Sequence, residues 1–283
     1  MNAVPPAAPP PYTGLRVIEL SEDPAGDYTG RLLAEMGAQV IKLEPPEGSS
    51  ARAIGPFAGG EAGPEASLNF RFYNSNKKSV VADLRTPAGI ALLRDLCRGA
   101  DVFISTLQPA ALRAIDLDLD VLRADNPRLI VLSVTAFGLT GPWADYLSSD
   151  LVALAAGGPL NSCGYDDHSI PPIRPGGNQA YHSAASFAHI GVLLALLERQ
   201  RSGEGQLVDV SMHEACAVNI ELANPYWFYP RVNVQRQTCR HAQPSPTQSA
   251  LFRSADDRFV YFALILSDPK AWASTVAWMD EKG

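Results

Sequence analysis

Short apolar runs alternate along the chain with stretches of helical spacing. Gly14 opens the first run, Leu15–Leu20, which predicts a strand followed by a Pro/Gly/Asp turn over Pro24–Asp27. Tyr28–Gly37 then puts Leu32, Leu33 and Met36 on one helical face, with Gly37 as the stop. Gln39–Leu43 predicts a second strand ended by Pro45 and Pro46, and residues 47–66, rich in Gly, Ala, Pro and Ser, read as a loop. Val80–Leu84 predicts another strand, and Thr86-Pro87 supply an N-cap and a first-turn proline for a helix over Ala88–Cys97. Val102–Ser105 and Leu129–Val134 predict further strands, with a short helix over Pro109–Ile115 between them. These strands are apolar runs without polar alternation, the pattern of a parallel sheet covered on both faces.

Beyond Gly157-Gly158, a proline-bearing loop leads into a long predicted helix over 179–201. Its arginines, Arg199 and Arg201, gather at the C-terminal end, where they suit the helix dipole. Leu207–Val210 and a helix from Ser211 follow. The segment 224–249, rich in Pro, Gln, Arg and Asn, reads as a linker, and Phe259–Leu266 and Pro269–Met279 predict a strand and a helix beyond it. The expected class is α/β: a flexible Pro/Ala tail over 1–13, a Rossmann-like parallel-sheet domain over 14–223, then an incomplete smaller α+β domain over 250–283. That last stretch is too short to bury a core of its own, so the expectation is a fragment or a unit completed by a partner.

Composition narrows the function classes. The 283 residues include 23 Lys and Arg against 30 Asp and Glu, a net charge of −7, which argues against general nucleic-acid binding. With 46% hydrophobic and 19% charged residues the chain has an ordinary globular composition. No uninterrupted apolar run reaches about 18 residues, so no membrane span is expected. The N-terminal stretch lacks the basic and apolar regions of a secretion signal. Cys97, Cys163, Cys216 and Cys239 are scattered with no C-x-x-C, and read as reduced thiols of a cytoplasmic protein.

Several familiar chemistries find no motif. The chain has no G-x-x-x-x-G-K-[ST], no G-x-G-x-x-G and no G-x-S-x-G. His213-Glu214 begins like a zincin helix, but position 217 is Ala. His168, His182, His189, His213 and His241 show no ligand spacing, so no metal site is expected. A dinucleotide-dependent oxidoreductase shares the strand–helix alternation but requires the missing glycine fingerprint.

An ordered set of runs carries more information. These are Gly14–Leu20, Leu32–Pro46 (LLAEMGAQVIKLEPP), Asn74–Ser79 (NSNKKS), Asn126–Ile130, Ser133–Pro142 (SVTAFGLTGP), Asp150–Val152 and Gly203–Ser211 (GEGQLVDVS). Together they resemble the family III CoA-transferases, the group of the formyl-CoA and carnitine CoA-transferases that also holds alpha-methylacyl-CoA racemase. The resemblance implies a Rossmann-like large domain, a smaller second domain and two interlocked chains, as a homodimer or a heterodimer with a paralogue. It implies CoA or acyl-CoA as substrate beside a carboxylic acid, and no tightly bound cofactor. It places Lys77 near the CoA nucleotide, Thr106 and Leu107 at the strand end lining the adenine and pantetheine region, and Phe137-Gly138 in a turn along the pantetheine. Thr106-Leu107 replace the Asn and aromatic residue that the family commonly carries there.

The resemblance also implies a nucleophilic aspartate at the start of the long helix, which takes the acyl group and then CoA. Counting back from Gly191–Arg199, that position is Tyr181, or Ala180 with racemase-like spacing, and no Asp or Glu occurs from 168 to 197. Ser149 stands where the racemase branch has its histidine, and Asp150 reads as a helix N-cap. Two readings follow. One is a CoA-transferase with an unusual site at Tyr181 and His182, or with a carboxylate supplied by another chain. The other is a non-catalytic CoA-binding subunit that pairs with a paralogue bearing the aspartate.

Overall fold

The computed structural model describes residues 8–220, 222–262 and 268–282. The chain divides into two units, one of Met1–Pro159 with Pro175–Asn219, the other of Leu160–Arg174 with Ile220–Gly283.

The first unit is built on β1 (Arg16–Leu20), α1 (Pro24–Glu35), β2 (Gln39–Glu44), α2 (Leu68–Tyr73), β3 (Lys78–Val81), α3 (Pro87–Arg98), β4 (Val102–Ser105), α4 (Pro109–Ala114), α5 (Leu119–Asp125) and β5 (Ile130–Thr135). Helix α6 (Asp150–Ala156) follows; α7 (Pro159–Ser162) belongs, but for Pro159, to the second unit; α8 (Gln179–Ser202), β6 (Leu207–Ser211) and α9 (Met212–Val218) complete the first. Its six strands form one sheet in the order β3-β2-β1-β4-β5-β6, every pair parallel. This is the expected Rossmann-like sheet. The direction of winding reverses between β1 and β4, which opens a crevice at their C-terminal ends.

Alternate strand residues face opposite layers. Ile18, Leu20, Ile41, Leu43, Phe103 and Val131 meet Leu93 and Cys97 of α3, Leu112 of α4 and Leu122 of α5 in one apolar cluster. The other face carries α1 and α8, which pack on each other, with α8 also against β5 and β6. Helix α8 presents Ala180, Ala184, Ala185, Ala188, Val192 and Ala195 inward, all fully buried. Its outer side exposes Phe187, Ile190, Leu193, Leu194 and Leu197. Ser, His and Gly interrupt its apolar residues, so no unbroken run appears in the sequence, yet its length and composition are those of a membrane-spanning helix.

The strands are less uniformly apolar than their sequence pattern predicts. Glu19 of β1 and Lys42 of β2 are cross-strand partners on the α1 face and are both fully buried. Lys42 Nζ lies 3.2 Å from Glu19 Oε1 and 2.6 Å from Asp27 Oδ1 of α1, and donates to Ser21 O at 2.7 Å. Lys77 completes the cluster, 2.8 Å from Glu19 Oε2. Four charges sum to zero in a dry interior. Burial alone would lower Lys42, but Glu19 and Asp27 reverse this and raise it. Burial would raise Asp27, but Lys42 and Lys77 hold it below the usual carboxylate range. Gly30 leaves room for the cluster, since a methyl there would overlap the Glu19 carboxylate.

Local chemistry explains several boundaries. The expected turn over Pro24–Asp27 is the first turn of α1, because Asp23 caps it and Pro24 occupies its first position. The third strand begins two residues before the predicted Val80. Gly205 lets the start of β6 pass the Leu129 carbonyl, where a side-chain methyl would clash. The N-terminal segment is anchored from Tyr12, which is buried and bonds His189 Nε2 through its hydroxyl at 2.7 Å.

The second unit holds α10 (Ala223–Phe228), the antiparallel pairs β7 (Gln235–Gln237) with β8 (Arg240–Gln243) and β9 (Leu251–Arg253) with β10 (Phe259–Tyr261), and α11 (Pro269–Lys282). The stretch read as a linker thus carries a helix and a hairpin. Segment 160–174 joins this unit, with Asp166 paired to Arg240 and its amide bonded to Thr238 Oγ1 at 3.0 Å. The predicted strand over Phe259–Leu266 is observed as far as Tyr261; its residues 263–266 lie outside the described residues.

Two stability measurements check this account. Lys42→Met leaves Glu19 and Asp27 short of a counter-charge and is expected to cost about 3–5 kcal/mol in urea unfolding. Glu44 is held at about 2: burial would raise it, but Arg52, Ser79 and the Ser49 amide bind its charged form. Its stabilisation is present above pH ~4.5 and is lost as pH falls towards 2. Glu44→Gln should therefore be less stable than the native chain at pH 7 and converge on it near pH 2 in thermal unfolding.

Candidate active site

The crevice at the reversal point holds a small cleft of about 70 Å³. Asp23 after β1, Thr106 after β4 and Thr135 at the end of β5 line it, with Gln108, Ser148 and Tyr181. Parallel strands deliver their C-terminal residues to one edge, so three polar side chains converge there from three separate strand ends. A larger hollow of about 380 Å³, beside Leu112, Arg113, Asp116 and Leu139, carries no paired nucleophile and base.

Tyr181 reaches the cleft because of how α8 begins. Asn178 takes a left-handed conformation with φ of 57°, and its side chain makes no cap. The cap comes from elsewhere: Asp150 Oδ1 accepts from Ala180 N at 2.8 Å. Asp150 is therefore not the N-cap of its own helix. Ser149 takes that place, accepting from Val152 N, while the buried Asp150 carboxylate serves the N-terminus of α8.

His182 points elsewhere. Its Nε2 is 2.9 Å from Tyr73 Oη, and its ring packs on Tyr28 with centroids 4.6 Å apart. Burial holds it below the usual histidine range. Neighbouring positions on a helix do not share a face, so the expected Tyr181–His182 pair does not assemble.

The other expected residues divide in the same way. Thr106 lines the cleft and accepts from Glu22 N through Oγ1 at 3.1 Å. Leu107 turns to the apolar cluster on the opposite layer. Lys77 is not available to a phosphate in this arrangement: 2% exposed, its ammonium contacts Glu19, Asp27 O at 2.7 Å and Asn74 Oδ1 at 2.8 Å. Burial lowers it below the usual lysine value. Phe137 stacks edge-on against Trp143 with centroids 5.7 Å apart, and Gly138 follows with φ of 83°, the left-handed region that glycine favours. Asp209 fixes this turn by accepting from Leu139 N at 3.0 Å.

Four polar cleft residues, Asp23, Gln108, Thr135 and Ser148, escaped the sequence reading. Asp23 stands just before the expected turn, although an Asp-Pro pair between strand and helix is a capping signal. It is half-buried, and Oδ1 accepts from Ala25 N at 2.9 Å and Gly26 N at 3.3 Å. Burial raises its carboxyl to about 7, against the pull of the two amides. Thr135 is 3% exposed, and its hydroxyl has no hydrogen-bond partner among the described residues. Nothing in its sequence context marks it. Among the described residues no group of three or more His, Cys, Asp and Glu could hold a metal ion.

Comparison with known proteins identifies the family. The family model for CoA-transferase family III matches residues 12–283, and the chain belongs to that family. It is 35% identical over 272 residues to "Succinyl-CoA:(R)-benzylsuccinate CoA-transferase subunit BbsE" of Thauera aromatica, covering 96% of this chain and 64% of that protein. It is 40% identical over 208 residues to "Succinate--glutarate CoA-transferase" of Agrobacterium fabrum, covering 72% and 51%. The crystal structure of a CAIB/BAIF family protein from Brucella suis superposes with a TM-score of 0.75 at 32% identity, covering 81% of this chain and 60% of that one. The chain thus spans between about half and two thirds of the length of these relatives.

The capping role of Asp150 is open to direct measurement. Asp150→Ala is expected to cost about 1–2 kcal/mol. Hydrogen exchange at the Ala180 amide should speed up, while that of the β4 and β5 amides follows only the global loss.

Proposed function

We propose that this chain takes part in moving CoA between an acyl-CoA thioester and a carboxylic acid. The observation that supports this most directly is the polar cleft at the β1/β4 reversal, in a chain of the CoA-transferase family. Two similar proteins are named for succinyl-CoA with (R)-benzylsuccinate or D-citramalate, and a third for succinate and glutarate, which favours short dicarboxylic substrates. Thr106 and Tyr181 sit at the reacting end. In this reading the Phe137-Gly138 turn, its left-handed glycine followed by the Leu139 amide that Asp209 binds, runs along the pantetheine arm.

Pairing with a second chain belongs to the same reading. The exposed Phe187, Ile190, Leu194 and Leu197 of α8 offer an apolar face suited to association. One relative is named as a subunit, and other relatives are named as alpha and beta subunits.

The test is a mass-spectrometric CoA-exchange assay with acetyl-, succinyl- and formyl-CoA as donors against a panel of carboxylic acids. Transfer above background, greatest with succinyl-CoA, is the expected result. A folded chain that gives none would shift the reading to a CoA-binding subunit dependent on an aspartate-bearing partner.

A further inference from the structure

We propose that Asp23 is the carboxylate that carries CoA in this chain, in place of the residue missing at position 181. The inference rests on the CoA-transfer reading and adds the identity of the covalent carrier. Three observations lead to it. Asp23 lines the cleft, whereas Tyr181, the phenol also found there, is a poor carrier near neutral pH. Both capping bonds fall on Oδ1, which leaves Oδ2 outside the cap. Thr135, whose buried hydroxyl has no hydrogen-bond partner among the described residues, adds a further polar side chain to the lining of the same cleft.

The chemistry balances without any other reactant. Asp23 Oδ2 attacks the thioester carbonyl carbon of the donor; a C–O bond forms, the C–S bond breaks and the electron pair leaves on sulfur as CoA thiolate. The thiolate then attacks Asp23 Cγ. A new C–S bond forms, the Cγ–Oδ2 bond breaks, and the donor departs as its carboxylate carrying that oxygen. The acceptor carboxylate runs the two steps in reverse, returning one of its own oxygens to Asp23. No proton or electron is consumed.

The cap serves this sequence directly. When thiolate or carboxylate attacks Cγ, negative charge gathers on Oδ1. That oxygen already faces Ala25 N and Gly26 N at the N-terminus of the 12-residue helix α1, an oxyanion site made of backbone. Burial that lifts Asp23 to about 7 also makes it more basic than a solvated carboxylate, and it remains substantially ionised at neutral pH.

The experiment traps the carrier. The native chain is incubated with succinyl-CoA alone, quenched with hydroxylamine, digested and sequenced by mass spectrometry; the same preparation is assayed for transfer to glutarate. A hydroxamate on Asp23, absent without succinyl-CoA, is the expected result. Asp23→Asn and Asp23→Ser both keep a good N-cap, so they should fold with near-native melting. Both should lose the adduct, and transfer should fall on the order of 10⁴-fold. Transfer by the native chain with no adduct on Asp23, or with the adduct elsewhere, overturns Asp23 and leaves the transfer reading standing. Neither adduct nor transfer from a folded chain overturns both.

Discussion

Four charges buried under α1 set the frame of the first unit. Glu19, Asp27, Lys42 and Lys77 come from β1, α1, β2 and the turn before β3, and each lies within hydrogen-bond distance of an opposite charge. Taking any one of them out of water alone is costly; together they sum to zero, and both ammoniums find acceptors for their protons. The register of β1 and β2 is written into the same cluster. A slip of one residue would turn Glu19 and Lys42 to opposite layers and strand both. Since Asp27 sits one turn into α1, the cluster also pins the start of that helix above the end of β1, where Asp23 meets the cleft.

The cleft is assembled from ends: the ends of three parallel strands and the beginnings of two helices. Helix α1 contributes amides already turned on the Asp23 carboxylate. Helix α8 contributes Tyr181, while the Ala180 amide of its first turn is taken by Asp150. One helix start is thus closed by a carboxylate from another helix and the other by its own cap, which leaves Asp23 as the carboxylate lining the cleft.

Much of the sheet was legible because buried parallel strands leave an apolar signature. Val102–Ser105 matches its prediction residue for residue, and the other strands of the sheet differ by one position at one or both ends, except β3, which begins two residues early and ends three early. The signature failed where chemistry was internal. Glu19 and Lys42 look like surface residues in a sequence, since their compensation comes from Asp27 and Lys77, which only the fold brings near. Lys77 was expected to face phosphate for the same reason. His182 was named for the site beside Tyr181 although neighbours on a helix do not share a face, and the fold gives His182 to Tyr73. Asp23 and Thr135 carry no motif, because a cleft built from strand ends draws on residues scattered across the whole first unit.

The inner face of α8 carries one further consequence. From Ala180 to Ala195 every buried position but Val192 is alanine, so small side chains set how closely that part of the helix approaches the sheet. Tyr181 stands on the first turn of that same helix. The depth of the cleft is therefore governed by side chains as far along as Ala188 and Ala195, several turns from any reacting atom. Enlarging one of them would lift the helix and withdraw the phenol. In this chain the dimensions of the site can change with no residue of the site being touched.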